Sequence, residues 1–327
     1  MTHPRILVLG TGGTIAGAGA HATGAAYRPG GLGLEVLIAH LDALGLAAEL
    51  VPEDIARIGS QDIGWAEWQV LHAACTRALA DPAITGVIIT HGTDTAEETG
   101  FLLDLTLPTT KPIVLVGAMR PADAVGADGM RNFVNAVKVV GDPAAAGRGV
   151  MLVMGDAVLA ARDARKAATA QIDAFRSFPR GPLARVTPSS LDWFGPPHRA
   201  GEAARYAFPA ELPRVGILTA GAGMDEKPVA ALLGIGCVGL VLAGMGQGNA
   251  PARVIKTLAR AAANGVPVVR STRVDEGLVD RNVEVDDDGL GLVAARALGP
   301  AKARVLLMVL IANGVTDAAA VQAAFDG

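Results

Sequence analysis

Two hydroxyl-rich turns are the residues of this chain best suited to chemistry. Gly10-Thr11-Gly12-Gly13-Thr14-Ile15-Ala16-Gly17 follows the apolar run Ile6 to Leu9, and His91-Gly92-Thr93-Asp94-Thr95 follows Val87 to Ile89. In an open parallel sheet, strand ends lie along one edge, where crevices form. Thr14 and Thr93 could therefore face one pocket, and the pairing suggests a hydroxyl nucleophile. Such a nucleophile needs partners. If a threonine hydroxyl is as weak an acid as water, ionising it outright at neutral pH costs about 12 kcal/mol. The proton must instead leave during attack, to a phenol, a neutral amine or a relayed group.

Each turn also has a plainer reading. Gly10 and Gly12 match the first two glycines of a dinucleotide-binding turn, but Ile15 stands at the third, and no acidic residue ends a second strand about 20 residues on. Thr14 could simply cap the next segment. Asp94 or Thr95 could cap the helix that runs through Glu97 and Glu98. A third polar turn, Gly59-Ser60-Gln61-Asp62, follows Ile55 to Ile58. Ser60 or Asp62 could cap the helix beginning near Trp65, yet Ser, Gln and Asp at a strand end also suit an amino-acid ligand, with donors for its carboxylate and acceptors for its ammonium. His91 reads as a supporting hydrogen-bonding residue, because the six histidines are scattered without a triad or ligand pattern.

The elements that must position these turns alternate between strand and helix. Arg5 to Leu9, Ala47 to Val51, Gly86 to Thr90, Ile113 to Val116 and Val150 to Met154 read as strands, separated by helical stretches at Leu34 to Leu44, Trp65 to Ala80, Ala96 to Leu105 and Phe133 to Val140. That order implies βαβ units with helices on both sheet faces. With 327 residues, two cores are expected. The boundaries are read as 1–190 for a catalytic α/β domain, 191–213 for a linker rich in Pro, Gly, Arg and Ser, and 214–327 for a second α/β domain. The uncharged stretch Val229 to Gly246 is long enough to span a bilayer, but its five glycines favour a short helix, a turn and a buried strand.

The chain is 51% hydrophobic with a net charge of -4, which leaves no electrostatic footprint for nucleic acid or an anionic membrane. A small substrate or a protein partner is expected instead. No secretory h-region opens the sequence, and Cys75 and Cys237 lack any metal or disulfide pattern, so a cytoplasmic location and two buried thiols are expected.

The ordered motifs resemble those of the bacterial L-asparaginases, including the glutaminase-asparaginases. The resemblance covers nearly the whole chain, through Thr11 to Gly17, Gly59 to Asp62, Thr90 to Thr95, Val116-Gly117-Ala118-Met119-Arg120-Pro121, Asp128-Gly129, Arg162-Asp163 with Lys166, and Glu284 to Asp287. It implies an α/β fold of two domains: a larger N-terminal one with a flavodoxin- or Rossmann-like, mostly parallel sheet, and a smaller C-terminal one. It also implies a homotetramer of close dimers, no metal and no cofactor. Thr14 resembles the primary nucleophile, Tyr27 a residue of a mobile loop closing over the substrate, and Thr93, Asp94 and Lys166 the second hydroxyl and its charged partners. Ser60 and Gln61 would bind the substrate, and Ala118 would meet the leaving amide through its carbonyl. Asn249 and Glu284 would reach the ammonium end from a neighbouring subunit. The cysteine pair of many secreted members is absent. Asn249 resembles asparagine-selective members, with some glutaminase activity expected and a glutaminase-asparaginase of broad specificity as the alternative. Two readings from other classes stay open, a noncatalytic amino-acid-binding protein and a dinucleotide-dependent oxidoreductase.

Overall fold

The computed structural model describes residues 3–19, 27–28, 30–31, 33–42, 47–108, 110–197 and 204–327, without the side chains of 18, 19, 27, 28 and 40–42. They form two compact units, 1–205 and 206–327.

In the first unit the elements run β1 (Arg5–Gly12), β2 (Ala18–Gly19), β3 (Tyr27–Arg28), α1 (Leu34–Asp42), β4 (Glu49–Ile58), α2 (Trp65–Ala80), β5 (Gly86–Thr90), α3 (Ala96–Thr106), β6 (Ile113–Val116), α4 (Gly129–Val140), β7 (Val150–Met154), β8 (Ala157–Ala160), β9 (Ala164–Lys166), β10 (Phe175–Ser177), β11 (Ala184–Val186) and β12 (Leu191–Trp193). Eight of these strands form one sheet in the order β12-β11-β8-β7-β6-β5-β1-β4. From β7 to β4 every neighbour is parallel, while β8, β11 and β12 add antiparallel strands beyond β7. Setting aside the two-residue pair β2–β3, the parallel strands lie in space as second, first, third, fourth and fifth, which is the flavodoxin-like order. The order reverses between β1 and β5, and that is where the two hydroxyl turns leave the sheet.

Alternation builds the core. Ile6, Val8, Ile88, Val114 and Val116 pack on one face with Leu34 and Leu37 of α1 and Phe133 of α4. Leu7, Leu9, Val87, Ile89 and Leu115 pack on the other with Leu71 and Cys75 of α2 and Leu103 of α3. Strands covered on both faces read as continuous apolar runs, which is why they stand out in the sequence.

Two differences from the sequence reading have physical reasons. The expected strand at 47–51 continues through Pro52 as ten-residue β4, because β4 is an edge strand and its proline need not donate to a second neighbour. Residues 191–193, which composition placed in a linker, form edge strand β12, paired with β11. The Arg148 guanidinium lies 4.0 Å from the centroid of the Trp193 ring, and Lys138 Nζ donates to the carbonyls of Thr187 and Ser190 at 3.0 and 3.1 Å, tying the β11–β12 turn to α4.

The second unit contains β13 (Val215–Thr219), α5 (Lys227–Gly234), β14 (Gly239–Gly244), α6 (Ala252–Ala263), β15 (Val268–Thr272), α7 (Asp287–Leu290), β16 (Val293–Ala294), α8 (Pro300–Ala312) and α9 (Ala318–Asp326). Its four strands are parallel, in the order β13-β14-β15-β16. The uncharged stretch 229–246 is divided between α5 and β14, and no described helix is long and apolar enough to cross a membrane. Cys75 and Cys237 are buried free thiols, and burial pushes the Cys75 thiol up to about 12.

Candidate active site

Glycine brings the two hydroxyl turns together. Gly12 and Gly13 have φ of 98° and 75°, a region that side chains avoid. A Cβ on Gly13 would stand 2.4 Å from the Cα of Gly92, and one on Gly92 would stand 2.7 Å from Ser60 Oγ. The turns after β1, β5 and β4 thus touch through backbone, with Gly13 N–H also donating to Ile58 O at 2.9 Å. Thr11, the first threonine of the motif, donates its hydroxyl to Thr90 O at 2.9 Å and stitches β1 to β5. Thr14, 8% exposed, opens a single 3-10 turn at the strand end.

The capping alternatives are resolved by hydrogen bonds. Gly64 holds the N-cap of α2, where its N–H donates to Glu67 Oε2 at 2.9 Å, so neither Ser60 nor Asp62 caps that helix. Ser60 instead faces the β5 turn: its Oγ accepts from Asp94 N–H at 3.2 Å and its carbonyl accepts from Thr95 Oγ1 at 2.8 Å. Thr95 occupies the N-cap position of α3 without a side-chain cap bond, because its hydroxyl makes that contact.

Asp94 is likewise committed elsewhere. Lys166, at the end of β9, donates from Nζ to Asp94 Oδ1 at 2.6 Å and to Thr93 Oγ1 at 2.8 Å. The Lys166 side chain is 16% exposed against 61% for Asp94, so the pair runs from the cavity wall outward. Lys166 is also fixed through its backbone, whose N–H donates to Glu97 Oε2 at 3.2 Å. A charge-assisted bond into the nearly buried Thr93 oxygen polarises that hydroxyl.

His91 lies behind the turn, wholly buried. Burial pulls its imidazole down to about 4, so the ring is neutral at neutral pH, and its Nδ1 donates to Gly92 O at 2.7 Å. It props the carbonyl beside Thr93 and does not reach the cavity. The β6 end is fixed by a second buried network: Asp128 accepts from the N–H groups of Met119 and Arg120 at 3.0 and 2.9 Å, and Asn132 Nδ2 donates to Gly117 O at 2.9 Å.

Thr14, Ser60, Gln61, Thr93, Asp94 and Lys166 line one mostly polar cavity of about 240 Å³. Met119 and Thr169 complete the wall, two residues to which the sequence reading gave no role. Ala118 packs in the core with its side chain fully covered, and its neighbour Met119 lines the cavity. Nothing in the sequence marks Thr169 except its position three residues after Lys166. Tyr27 is described only as backbone, paired with Gly19; its side chain and most of the expected closing loop lie outside the described residues. In the second unit Asn249 and Glu284 are brought together, Asn249 Nδ2 donating to Glu284 Oε2. Among the described residues no group of three or more His, Cys, Asp or Glu is placed to hold a metal ion.

This arrangement has relatives. Residues 5–199 match the family model for the asparaginase N-terminal domain, and residues 214–325 match that for the glutaminase/asparaginase C-terminal domain. The chain belongs to the asparaginase family. Over 311 residues it is 42% identical to a probable periplasmic L-asparaginase of Haemophilus influenzae, covering 94% of this chain and 88% of that protein. To the glutaminase-asparaginase of Pseudomonas fluorescens it is 37% identical over 316 residues, 94% of this chain and 86% of the other. A crystal structure of a probable cytoplasmic L-asparaginase from Campylobacter jejuni superposes with a TM-score of 0.91 at 36% identity, covering 98% of this chain and 99% of that one. As an asparaginase-family member the chain is a hydrolase acting on amide bonds, which removes the noncatalytic and oxidoreductase readings.

Proposed function

We propose that the chain is an L-asparagine amidohydrolase, releasing aspartate and ammonia through a threonine acyl-enzyme, with lower activity on glutamine. The observation that carries this reading is the single cavity into which Thr14 and Thr93 both open, with Lys166 bonded to Thr93 and Asp94. Thr14 Oγ attacks the side-chain amide carbon and gives up its proton during attack, directly or by relay, to the departing nitrogen; Tyr27 is the candidate phenol for that relay. The C–N bond breaks, ammonia leaves, and water cleaves the resulting ester. Thr93, polarised by Lys166, activates or orients the second nucleophile.

Substrate contacts follow from chemistry. Ser60 and Gln61 supply donors for the α-carboxylate, Asp94 an acceptor for the α-ammonium, and the Ala118 carbonyl a partner for the leaving amide. Backbone N–H groups near Thr93 stabilise the oxyanion. The partner subunit's Asn249 and the partner subunit's Glu284 complete the ammonium site in a homotetramer of close dimers. Discrimination against glutamine is modest, because one methylene is worth only about 1–3 kcal/mol in a pocket. A cytoplasmic location fits the two free buried thiols.

The test is parallel steady-state kinetics on asparagine and glutamine for the wild type and Thr14→Ala. Wild-type rates in the mutant would remove the nucleophile. Refolding a mixture of inactive Thr14→Ala and Glu284→Ala subunits should restore part of the activity. No recovery from confirmed tetramers would refute a shared site.

A further inference from the structure

The second unit contains a buried charge pair that the proposed chemistry does not use. Arg270 on β15 and Asp287 in α7 are 1% and 0% exposed, and they meet through two parallel bonds, Nε to Oδ1 at 2.6 Å and Nη2 to Oδ2 at 2.7 Å. The remaining bonds of this pair go to the backbone of two separate loops. On one side, Arg270 Nη1 donates to the carbonyls of Gln247 and Gly248 at 3.0 and 3.2 Å, immediately before Asn249. On the other, Nη2 donates to Asp280 O at 3.4 Å and Asp287 Oδ2 accepts from Asn282 N–H at 3.0 Å, two residues before Glu284.

Each loop is shaped to accept that grip. Gly248 has φ of 81°, and a Cβ there would lie 3.1 Å from Arg270 Nη1. Asn282 has φ of 59° and exchanges two bonds with Asp288, Nδ2 to Oδ2 at 2.8 Å and Asp288 N–H to Oδ1 at 3.1 Å. The Gln247 side chain adds a further link, accepting from Asp280 N–H at 3.3 Å. The tips of the two loops then meet where Asn249 donates to Glu284.

A buried ion pair contributes little net stability compared with well-packed apolar residues. What a guanidinium does offer is a rigid planar fork that holds several acceptors in fixed relation. We infer that Arg270 and Asp287 are positioning residues, setting the separation and orientation of the Asn249–Glu284 pair so that it can receive the substrate ammonium. The inference rests on the proposed role of that pair in binding.

Full-length Arg270→Lys, the double variant Arg270→Met with Asp287→Leu, and Glu284→Gln test it, alone and combined, with kcat and KM for asparagine measured beside the melting temperature. Both clamp variants should raise KM at least tenfold while kcat stays within about threefold. The Met/Leu variant keeps its core filled but loses the bonds to the Gln247, Gly248 and Asp280 carbonyls and the Asn282 N–H, so its melting temperature should fall while it remains folded. Adding Glu284→Gln to the Met/Leu variant should raise KM no further than Glu284→Gln does alone. A folded Met/Leu variant with wild-type KM, or an additive effect with Glu284→Gln, overturns the inference. If the Met/Leu variant does not fold, Arg270→Lys decides, and a lowered melting temperature with unchanged KM overturns it. If Glu284→Gln itself leaves KM unchanged, the ammonium-binding reading fails and the inference falls with it; a raised KM there with no clamp effect refutes the clamp alone.

Discussion

In the first unit the turns carrying Thr14, Ser60 and Thr93 touch one another through glycine, with Gly13 against Gly92 and Gly92 against Ser60. In the second, the loop before Asn249 is held by glycine only to its own strand, Gly244 against Gly248, and Arg270 and Asp287 link it to the loop carrying Glu284. The difference concerns tolerance. Backbone contact leaves no slack, which suits groups that must sit within bonding distance of a reacting carbon. A side-chain fork spans loops of different length and still holds their tips in fixed relation.

The comparison can be broken at its strongest point. Replacing Thr14 or Thr93 by Ala should lower kcat by at least about 10³-fold with the fold intact, as expected for groups that act together in the chemical step; a loss below tenfold in either would mean that its turn is not placed for chemistry. Gly13→Ala should follow with about a 10²-fold loss, because the added methyl drives the β1 and β5 turns apart. Gly246→Ala is its counterpart in the second unit. With φ of 50° and no atom within 4 Å of the new Cβ, it should cost about 1 kcal/mol of stability and leave rates within threefold. Equal losses in both would erase the distinction.

Stability sharpens the comparison further. The imidazole of His91 is depressed from its ordinary value to about 4, so the unfolded chain binds its proton more readily than the folded one. Its contribution of about 3 kcal/mol is present above pH 6.5 and is lost as pH falls towards 4. Urea unfolding of His91→Gln should therefore show a shallower acid limb between pH 6.5 and 4 than the wild type, while an unchanged limb would mean that His91 is not held neutral. Asp128→Asn turns a donor towards the Met119 and Arg120 N–H groups and should cost about 1–3 kcal/mol. A neutral result would show that the β6 end holds its shape without the carboxylate.

The same contrast governs what was legible in the sequence. The threonine turns announce themselves because strand, glycines and hydroxyl are contiguous, and the doubly covered strands β1, β5, β6 and β7 are continuous apolar runs. Ser60 could not be separated from a helix cap, because the distinction depends on Gly64 taking that position. Strands β8 to β12 span three or four residues each, too short for a period to register. Arg270 and Asp287 lie 17 positions apart, and Asp287 sits within the run Asp286 to Asp288, which reads as solvated surface. Their partnership exists only after β15 and α7 have packed.

The edge strand β12 has a practical consequence for anyone dividing this polypeptide. A fragment ending at residue 190 would lose Leu191–Trp193, strip the indole from Arg148 and leave β11 with an unpaired ladder. Bare ladders recruit other chains, so such a truncation should self-associate more than one that retains the tryptophan, in which β11 stays paired and Trp193 stays on Arg148.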